Sequence, residues 1–443
     1  MNNCKLLRLS FLSFFFLSGS LCMVASTGAS SKQALAKEIL ANHHLMVVDS
    51  MAHAIVKTGL NAGDGYAETW IRDYNTFIEL AMDVVPDSCI RDALLTFFRF
   101  QGPHGDIVDG FIDKSKATDT SDGYKYRYSD TELRYAAHKN TVETDQESSL
   151  VQAVCKYVMK SGNRSFLQQV VDGKTVLERL QMALGYLMSD RFDARHGLIW
   201  GATTADWGDV QPEHSWGVAL DEHSHYALDI YDNAFFVVAI NDFLKLTTDN
   251  KAVFRHWTAV RNDICRNVRR YLWDKKRRKF RPHVYLKDSP FPADFDEAAV
   301  YYHGGTAVAI EADLLTKKEI KESNAAMVRN VKESGAPTIG LTVYPPYPTG
   351  YFKNKGMYAY GYQNGGDWTW FGGRMIMQLI RNGFVEEAYA EVQPMFERVI
   401  RNNGFFEWYT RDGKPMGSGT FRGEAGVLYR IIQMLREWAK GNV

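Results

Sequence analysis

This sequence has no surplus of either charge: Lys and Arg together number 52, as do Asp and Glu, over 443 residues. Such balance excludes the basic footprint of a nucleic-acid binder and leaves nothing to draw the chain to an anionic membrane. A polymeric partner, if there is one, is then uncharged. Cysteine is scarce as well. Of the five, Cys4 and Cys22 fall in an N-terminal leader, while Cys89, Cys155 and Cys265 are odd in number and widely spaced. That spacing excludes a disulfide framework or a cysteine-based zinc site and leaves room for one bridge at most. Beyond the leader no run reaches the roughly 18 unbroken apolar residues of a membrane span. Runs of alternating β-branched residues are also missing, which speaks against an extensive sheet. No composition break or Pro/Ser-rich linker divides residues 30–443, so a single domain is expected there.

What is present begins with an export signal over residues 1–29. Lys5 and Arg8 form the charged start, Leu9 to Val24 is apolar and small with Phe14-Phe15-Phe16 at its centre, and Val24-Ala25-Ser26 or Thr27-Gly28-Ala29 offers a cleavage site. The mature chain is expected to begin near Ser30 and to be secreted or periplasmic. Cys22 is a poor candidate for lipid attachment, because Leu21 stands where such sites carry a small residue.

From there the chain reads as a succession of amphipathic helices. Lys32 to Thr58 carries Leu35, Ile39, Leu40, Met46, Val47, Met51, Ile55 and Val56 at helical spacing. The same signal recurs at about 73–84, 87–101, 143–161, 174–190, 228–246, 250–271, 303–315, 317–334, 367–382, 384–401 and 421–440, making twelve in all. The intervals 102–142, 191–227, 272–302 and 335–366 are long and rich in Gly, Asp, Tyr, Trp and Pro, the profile of loops that carry function. Twelve helices with long loops between alternate pairs predict an all-α fold, six hairpins closed into an (α/α)6 toroid.

The chemistry-bearing words fall where those loops enter helices. Glu68-Thr69-Trp70-Ile71-Arg72-Asp73-Tyr74 puts a donor fork, an acceptor and a stacking face at one helix mouth, the equipment for gripping sugar hydroxyls. A helix cap alone would also explain Asp73. Asn140-Thr141-Val142-Glu143-Thr144-Asp145-Gln146-Glu147 is a second polar knot, with Asp145 and Gln146 as ligand-binding candidates and Glu143 and Glu147 expected in solvent as ordinary helix-start acids. In Thr203-Thr204-Ala205-Asp206-Trp207-Gly208-Asp209, the Trp207 wall favours a protonated Asp206, as a general acid requires, while Asp209 reads as a turn residue. Tyr231-Asp232-Asn233 follows. His214, His223 and His225 sit in a polar loop where hydrogen bonding to protein or water is the expectation, so no metal is assigned. Tyr362-Gln363-Asn364-Gly365-Gly366-Asp367-Trp368 and Gly404-Phe405-Phe406-Glu407-Trp408-Tyr409 combine ring faces, amides, glycines and a carboxylate, Glu407, set between aromatics. With aromatics at 13% of the chain, neutral carbohydrate is the ligand class these words share, and Trp70, Trp207, Trp368 and Trp408 are its candidate stacking faces.

In this order the words resemble those of the six-hairpin glycosidases. The likeness is nearest to the neutral/alkaline invertase family, whose members carry an Arg-Asp word, a Tyr-His-Asn-Gly-Gly-Ser-Trp word and a Pro-Glu-Tyr-Tyr-Asp-Gly word; trehalases, processing glucosidases and glycogen debranching enzymes are more distant. It spans roughly residues 60–435. The resemblance implies an (α/α)6 barrel and an inverting hydrolase without cofactor, with Asp206 as general acid, Glu407 as general base, and Arg72, Asp73, Asp145, Asn364 and Asp367 around the non-reducing sugar. The chain departs from the invertases over 207–227 and at Asp367, where they carry Ser, and both departures speak against sucrose.

Hydrolysis with inversion needs an acid and a base roughly 6.5–9.5 Å apart on opposite faces of the sugar. Residues 206 and 407 are 201 positions apart (407 − 206), so only a closed fold could unite them. The expected function is cleavage of a neutral glycosidic bond in a disaccharide or oligosaccharide, one terminal sugar at a time. A uronate-cleaving lyase or unsaturated uronyl hydrolase would want a basic cleft, and these motifs are acidic. A glycan-binding protein that kept the barrel without the chemistry is the alternative from another class.

Overall fold

The computed structural model describes residues 31–119, 125–216 and 218–443; the leader expected over 1–29 lies outside the described residues. Those residues form two compact units, one comprising the described part of Met1–Asn42 with Leu435–Val443, the other His43–Met434.

Thirteen α-helices occur among the described residues: α1 (31–41), α2 (His43–Val56), α3 (Ile71–Val84), α4 (Asp87–Arg99), α5 (Asp145–Ser161), α6 (Val176–Asp190), α7 (Ile230–Leu246), α8 (Lys251–Asn267), α9 (His303–Glu311), α10 (Lys317–Ser334), α11 (Thr369–Arg381), α12 (Val385–Asn402) and α13 (Arg422–Lys440). The helix expected over 32–58 is interrupted at Asn42. Every other expected helix is present within a few residues of its forecast ends.

Within the larger unit α3, α5, α7, α9 and α11 pack each against the next, and α2, α4, α6, α8, α10 and α12 lie against them from outside. The first turns of α13 complete the inner ring: Glu424 accepts a short hydrogen bond from Thr369 of α11, and Gly426 lies against Phe77 of α3, where a Cβ would stand 2.6 Å from the Phe77 Cα. Only glycine lets two helix backbones approach so closely. Composition explains which helices face inward. Inner helix α7, Ile-Tyr-Asp-Asn-Ala-Phe-Phe-Val-Val-Ala-Ile-Asn-Asp-Phe-Leu-Lys-Leu, is apolar nearly all round and is buried along both faces. Outer helix α8 buries only Trp257 and Ile264, the narrow stripe of a helix with one wet side. Each large inner side chain so buried contributes about 1.5–3 kcal/mol.

The helix ends differ in the same way. Outer helices α6 and α10 open with capping boxes, Thr175 with Glu178 and Thr316 with Glu319, which satisfy their first amides locally. Inner helices α3, α5, α9 and α11 have no cap from the residue preceding them. Their open N-termini collect the connecting loops at one end of the ring. Those loops are not plain coil, as the lack of β signal implied: they carry strands of two to four residues, among them an antiparallel sheet of Thr69–Trp70, Gly110–Asp113, Tyr135–His138 and Tyr126–Arg127. Strands this short leave no periodicity to read. No helix among the described residues is long and apolar enough to cross a membrane.

Candidate active site

The site assembles around Arg72, in the first turn of α3. Helix α3 begins at Ile71, so Asp73 lies inside that turn and does not cap it. Arg72 is buried and forms a short ion pair with Glu143; Asp109, Asp145 and Asp209 each lie 3.7 Å from its guanidinium. Four carboxylates around one guanidinium hold its charge fixed, and its pKa stands well above the ordinary value despite burial. Burial in turn drives the carboxyl groups of Glu143, Asp145 and Asp109 upward, against the pull of Arg72. Glu143 and Glu147, expected in solvent, are buried: Glu143 meets Arg72, while Glu147 takes the Lys139 ammonium at 2.7 Å and the Ile107 amide at 2.8 Å. Lys139 also reaches Gln146 Oε1 (2.5 Å), whose Nε2 donates to Asp145 (3.1 Å), and Asp145 accepts from Tyr231 of α7 at 2.7 Å.

Asp73 is buried beside this cluster, and its carboxyl is raised to about 7, by burial first, with Arg72 opposing and the charge of Glu407 adding to the rise. Asp73 Oδ1, Glu143 Oε1 and Trp70 Nε1 are buried and have no hydrogen-bond partner among the described residues. Orphaned polar atoms of both kinds, acceptors and a donor, facing one charged cluster are what a hydroxyl-rich ligand would satisfy.

Glu407 comes to this cluster from the far end of the chain. It directly precedes the hairpin Trp408–Tyr409 with Pro415–Met416, and its amide donates to Ser418 O. Its Oε2 accepts from Tyr66 Oη at 2.6 Å and from the Ser418 amide at 3.3 Å. Its Oε1 has no protein partner among the described residues. Gly417, at φ 70°, lies against it, where a Cβ would fall 2.3 Å from Oε2; any other residue would push the carboxylate away. Burial raises the Glu407 pKa, the hydrogen bonds from Tyr66 and Ser418 lower it, and the charge of Asp209 raises it again.

The two aspartates of the Trp207 loop occupy opposite situations. Asp206 is 1% exposed, and each of its oxygens accepts a backbone amide from the start of α9, Oδ2 from Gly304 at 2.6 Å and Oδ1 from Gly305 at 2.7 Å. Burial lifts its pKa to about 8 while those two bonds pull it down. It serves as the cap that α9 lacks locally, held at φ 57°. Asp209, read from sequence as a turn residue, instead faces the cluster: its side chain is 25% exposed, lies 3.7 Å from Arg72 and accepts from Gln363 Nε2 at 2.7 Å. Its charge acts on Glu407, Tyr66 and Tyr362. Tyr362 is thus flanked by both carboxylates, and it holds a left-handed φ of 41°, a strained state for a bulky side chain that a site can impose.

The remaining candidates belong to the wall. Trp207 stacks on Phe371 of α11 (4.4 Å between centroids, 19°) and meets Trp368 edge-on at 4.8 Å. Trp368 is buried and donates to Tyr362 O at 2.9 Å. Asn364 spends its whole amide on backbone, accepting from Tyr347 N and donating to Tyr347 O and Met357 O. Asp367 accepts from Thr338 at both oxygens and pairs with Arg398 at 2.9 Å. Both residues tie the loop before α11 to the barrel and have no polar atom left for a ligand. Trp408 is buried with its ring 6.1 Å from Tyr362, and Trp70 lies 4.8 Å from Tyr66. Tyr66 and Asp109 join the cluster from outside the words singled out in sequence, with Gly65 before Tyr66 the one local hint; Glu143, Asp209 and Tyr362 lie inside those words without being ligand candidates there. His214 pairs with Asp221 and His225 with Glu213, and no group of three metal-ligating side chains gathers among the described residues. Cys89, Cys155 and Cys265 are free thiols.

No protein-family model matches this sequence, and no curated protein matches it. In three dimensions the chain is similar to the GH63 mannosylglycerate hydrolase of Thermus thermophilus in complex with glucose, with a TM-score of 0.62 and 15% identity over 86% of this chain and 99% of that one. It is also similar to a Klebsiella oxytoca rhamnosidase with rhamnose bound, at a TM-score of 0.56 and 12% identity over 89% of this chain. A Bacillus GH78 rhamnosidase gives a TM-score of 0.53 at 13% identity over 88%. The chain spans 64% of the length of the Klebsiella enzyme and 34% of the Bacillus one. By this likeness and by its helix packing, the chain adopts the six-hairpin (α/α)6 fold of these glycosidases.

Proposed function

We propose that this protein is a glycoside hydrolase that removes a terminal neutral sugar with inversion, with Glu407 as general base and Asp209 as general acid. The observation that carries this reading is the pair of carboxylates facing one aromatic-walled cluster, Glu407 with its Oε1 free and Asp209 part-exposed, each acting electrostatically on Tyr66 and Tyr362. A base must offer water an unengaged oxygen in its ionised form, and Tyr66 and Ser418 favour that form by donating to Oε2. An acid must reach the leaving oxygen. Asp209 can; Asp206, with both oxygens occupied by α9, is assigned to holding the loop that carries Asp209. Arg72, Asp73 and Glu143 then grip the hydroxyls of the terminal sugar beside Trp70. A cluster so rich in buried acids repels uronates, which supports a neutral substrate. The mannosylglycerate hydrolase and rhamnosidases of similar structure support the same reaction class.

The test is a screen of the purified protein against α- and β-linked gluco-, manno- and rhamno-configured di- and oligosaccharides. Asp209→Asn and Glu407→Gln are expected to lose about 10²–10⁴-fold in turnover on whatever is cleaved. Asp209→Asn is expected to keep far more of its rate on the matching glycosyl fluoride, whose leaving group needs no proton. Full activity of Asp209→Asn on the natural linkage would overturn its role. Sugar binding without any release of reducing sugar by the wild type would overturn the hydrolase reading.

A further inference from the structure

Trp216 is the only exposed tryptophan among the described residues, with 52% of its surface open to solvent. An indole left half in water gives up apolar burial that its size would otherwise supply, yet its neighbours are held in place. Asn354 Nδ2 donates to Ser215 O at 2.5 Å, and Lys353 N donates to Pro212 O at 3.0 Å, fastening one side to the loop before Tyr362. On the other side Thr141 N donates to Val218 O, and Leu220 N to Thr141 Oγ1, both at 2.8 Å, fastening it to the segment that leads to Glu143 and Asp145. The ring is thus presented rather than left loose. It meets Tyr362 edge-on at 6.2 Å between centroids, and Tyr362 meets Trp408 at 6.1 Å, so one aromatic ring separates Trp216 from the carboxylate cluster.

We infer that Trp216 is a stacking platform for the second sugar of the substrate, on the leaving-group side. This rests on the hydrolase reading above. Its loop is also the loop of Asp209, seven positions earlier (216 − 209), and the group that Asp209 protonates departs along that loop. A flat, exposed indole beside the exit suits the apolar face of a pyranose, which makes the preferred substrate one whose leaving group is itself a sugar. It disfavours small acyclic aglycones, which cover no ring face.

The test compares wild type with Trp216→Ala and Trp216→Phe on gluco- and manno-configured disaccharides and trisaccharides and on the corresponding glycosyl fluorides. For Trp216→Ala the ratio of kcat/KM on disaccharide to kcat/KM on fluoride is expected to fall about tenfold, mainly through KM, and Trp216→Phe to recover most of it. An unchanged ratio overturns the platform and leaves the hydrolase reading standing. Binding of the same disaccharides to Glu407→Gln, with and without Trp216→Ala, is followed by calorimetry. Weaker binding in the double variant supports a sugar-stacking ring at Trp216 even if the wild type cleaves none of the sugars, in which case the hydrolase reading falls and takes the leaving-group assignment with it. Equal affinity overturns the platform.

Discussion

Tyr66 illustrates what single residues contribute to this site. Its hydroxyl holds Glu407 Oε2 at 2.6 Å, and that bond lowers a carboxyl pKa that burial and Asp209 raise. Base catalysis requires ionised Glu407, so activity is lost as pH falls through its pKa, which stands above the ordinary glutamate value. Tyr66→Phe removes a lowering contribution. The acid limb of kcat/KM against pH is therefore expected to move to higher pH in this variant; a limb that stays in place or moves down would contradict the role given to Tyr66. Nothing in the sequence links these residues, which stand 341 positions apart. Asp206 and Asp209 make the same point at short range: three positions apart and both beside Trp207, they differ only in what the folded chain brings to them. One receives the amides of α9, the other Arg72 and Gln363.

Among the elements, α9 depends most on a distant partner. The residue before it supplies no cap, and Asp206 takes the amides of both Gly304 and Gly305. Asp206→Ala is expected to lower stability by about 2–4 kcal/mol, because two buried backbone amides lose their hydrogen-bond acceptor. The expected companion result is that Asp209→Asn, at a part-exposed site, unfolds near the wild-type midpoint. Denaturant titration of both variants checks the pair, and the reverse ranking would contradict the division of labour between the two aspartates. The helices themselves were legible in sequence because 3.6-residue periodicity survives over 9 to 19 residues. The two-residue strands between them were not, since their pairing is set by loop closure on the barrel end.

At the scale of the whole molecule, closing hairpins into a ring carries the start of each inner helix to one end, and most of the chemistry-bearing words sit at those starts. That is why their order along the chain was informative. Which side chains face the cavity was not legible: Asn364 and Asp367 lie in the most distinctive word and are consumed by the wall, whereas Asp209 looked like a turn. Concentrating acids in this way also affects stability. Asp73, Asp206 and Glu424 are raised to about 7, 8 and 7, each by burial first. The folded chain thus keeps protons that the unfolded chain releases, and their contribution is full below the ordinary carboxylate pKa and drains away as pH climbs through these values. His138 and His303, both lowered to about 4 by burial, act oppositely but mostly below their ordinary pKa of 6.5. The melting temperature is expected to fall between about pH 6 and pH 8; a rise over that window, read by calorimetry, would contradict the assignment.

The central claim is that Glu407 directs water onto one face of a sugar while Asp209 releases the leaving group from the other. Proton NMR of the first product formed, recorded before mutarotation, reads this directly on any disaccharide the protein cleaves. The account predicts that the new hemiacetal appears with the anomeric configuration opposite to that of the bond broken. Appearance of the same anomer first would contradict it.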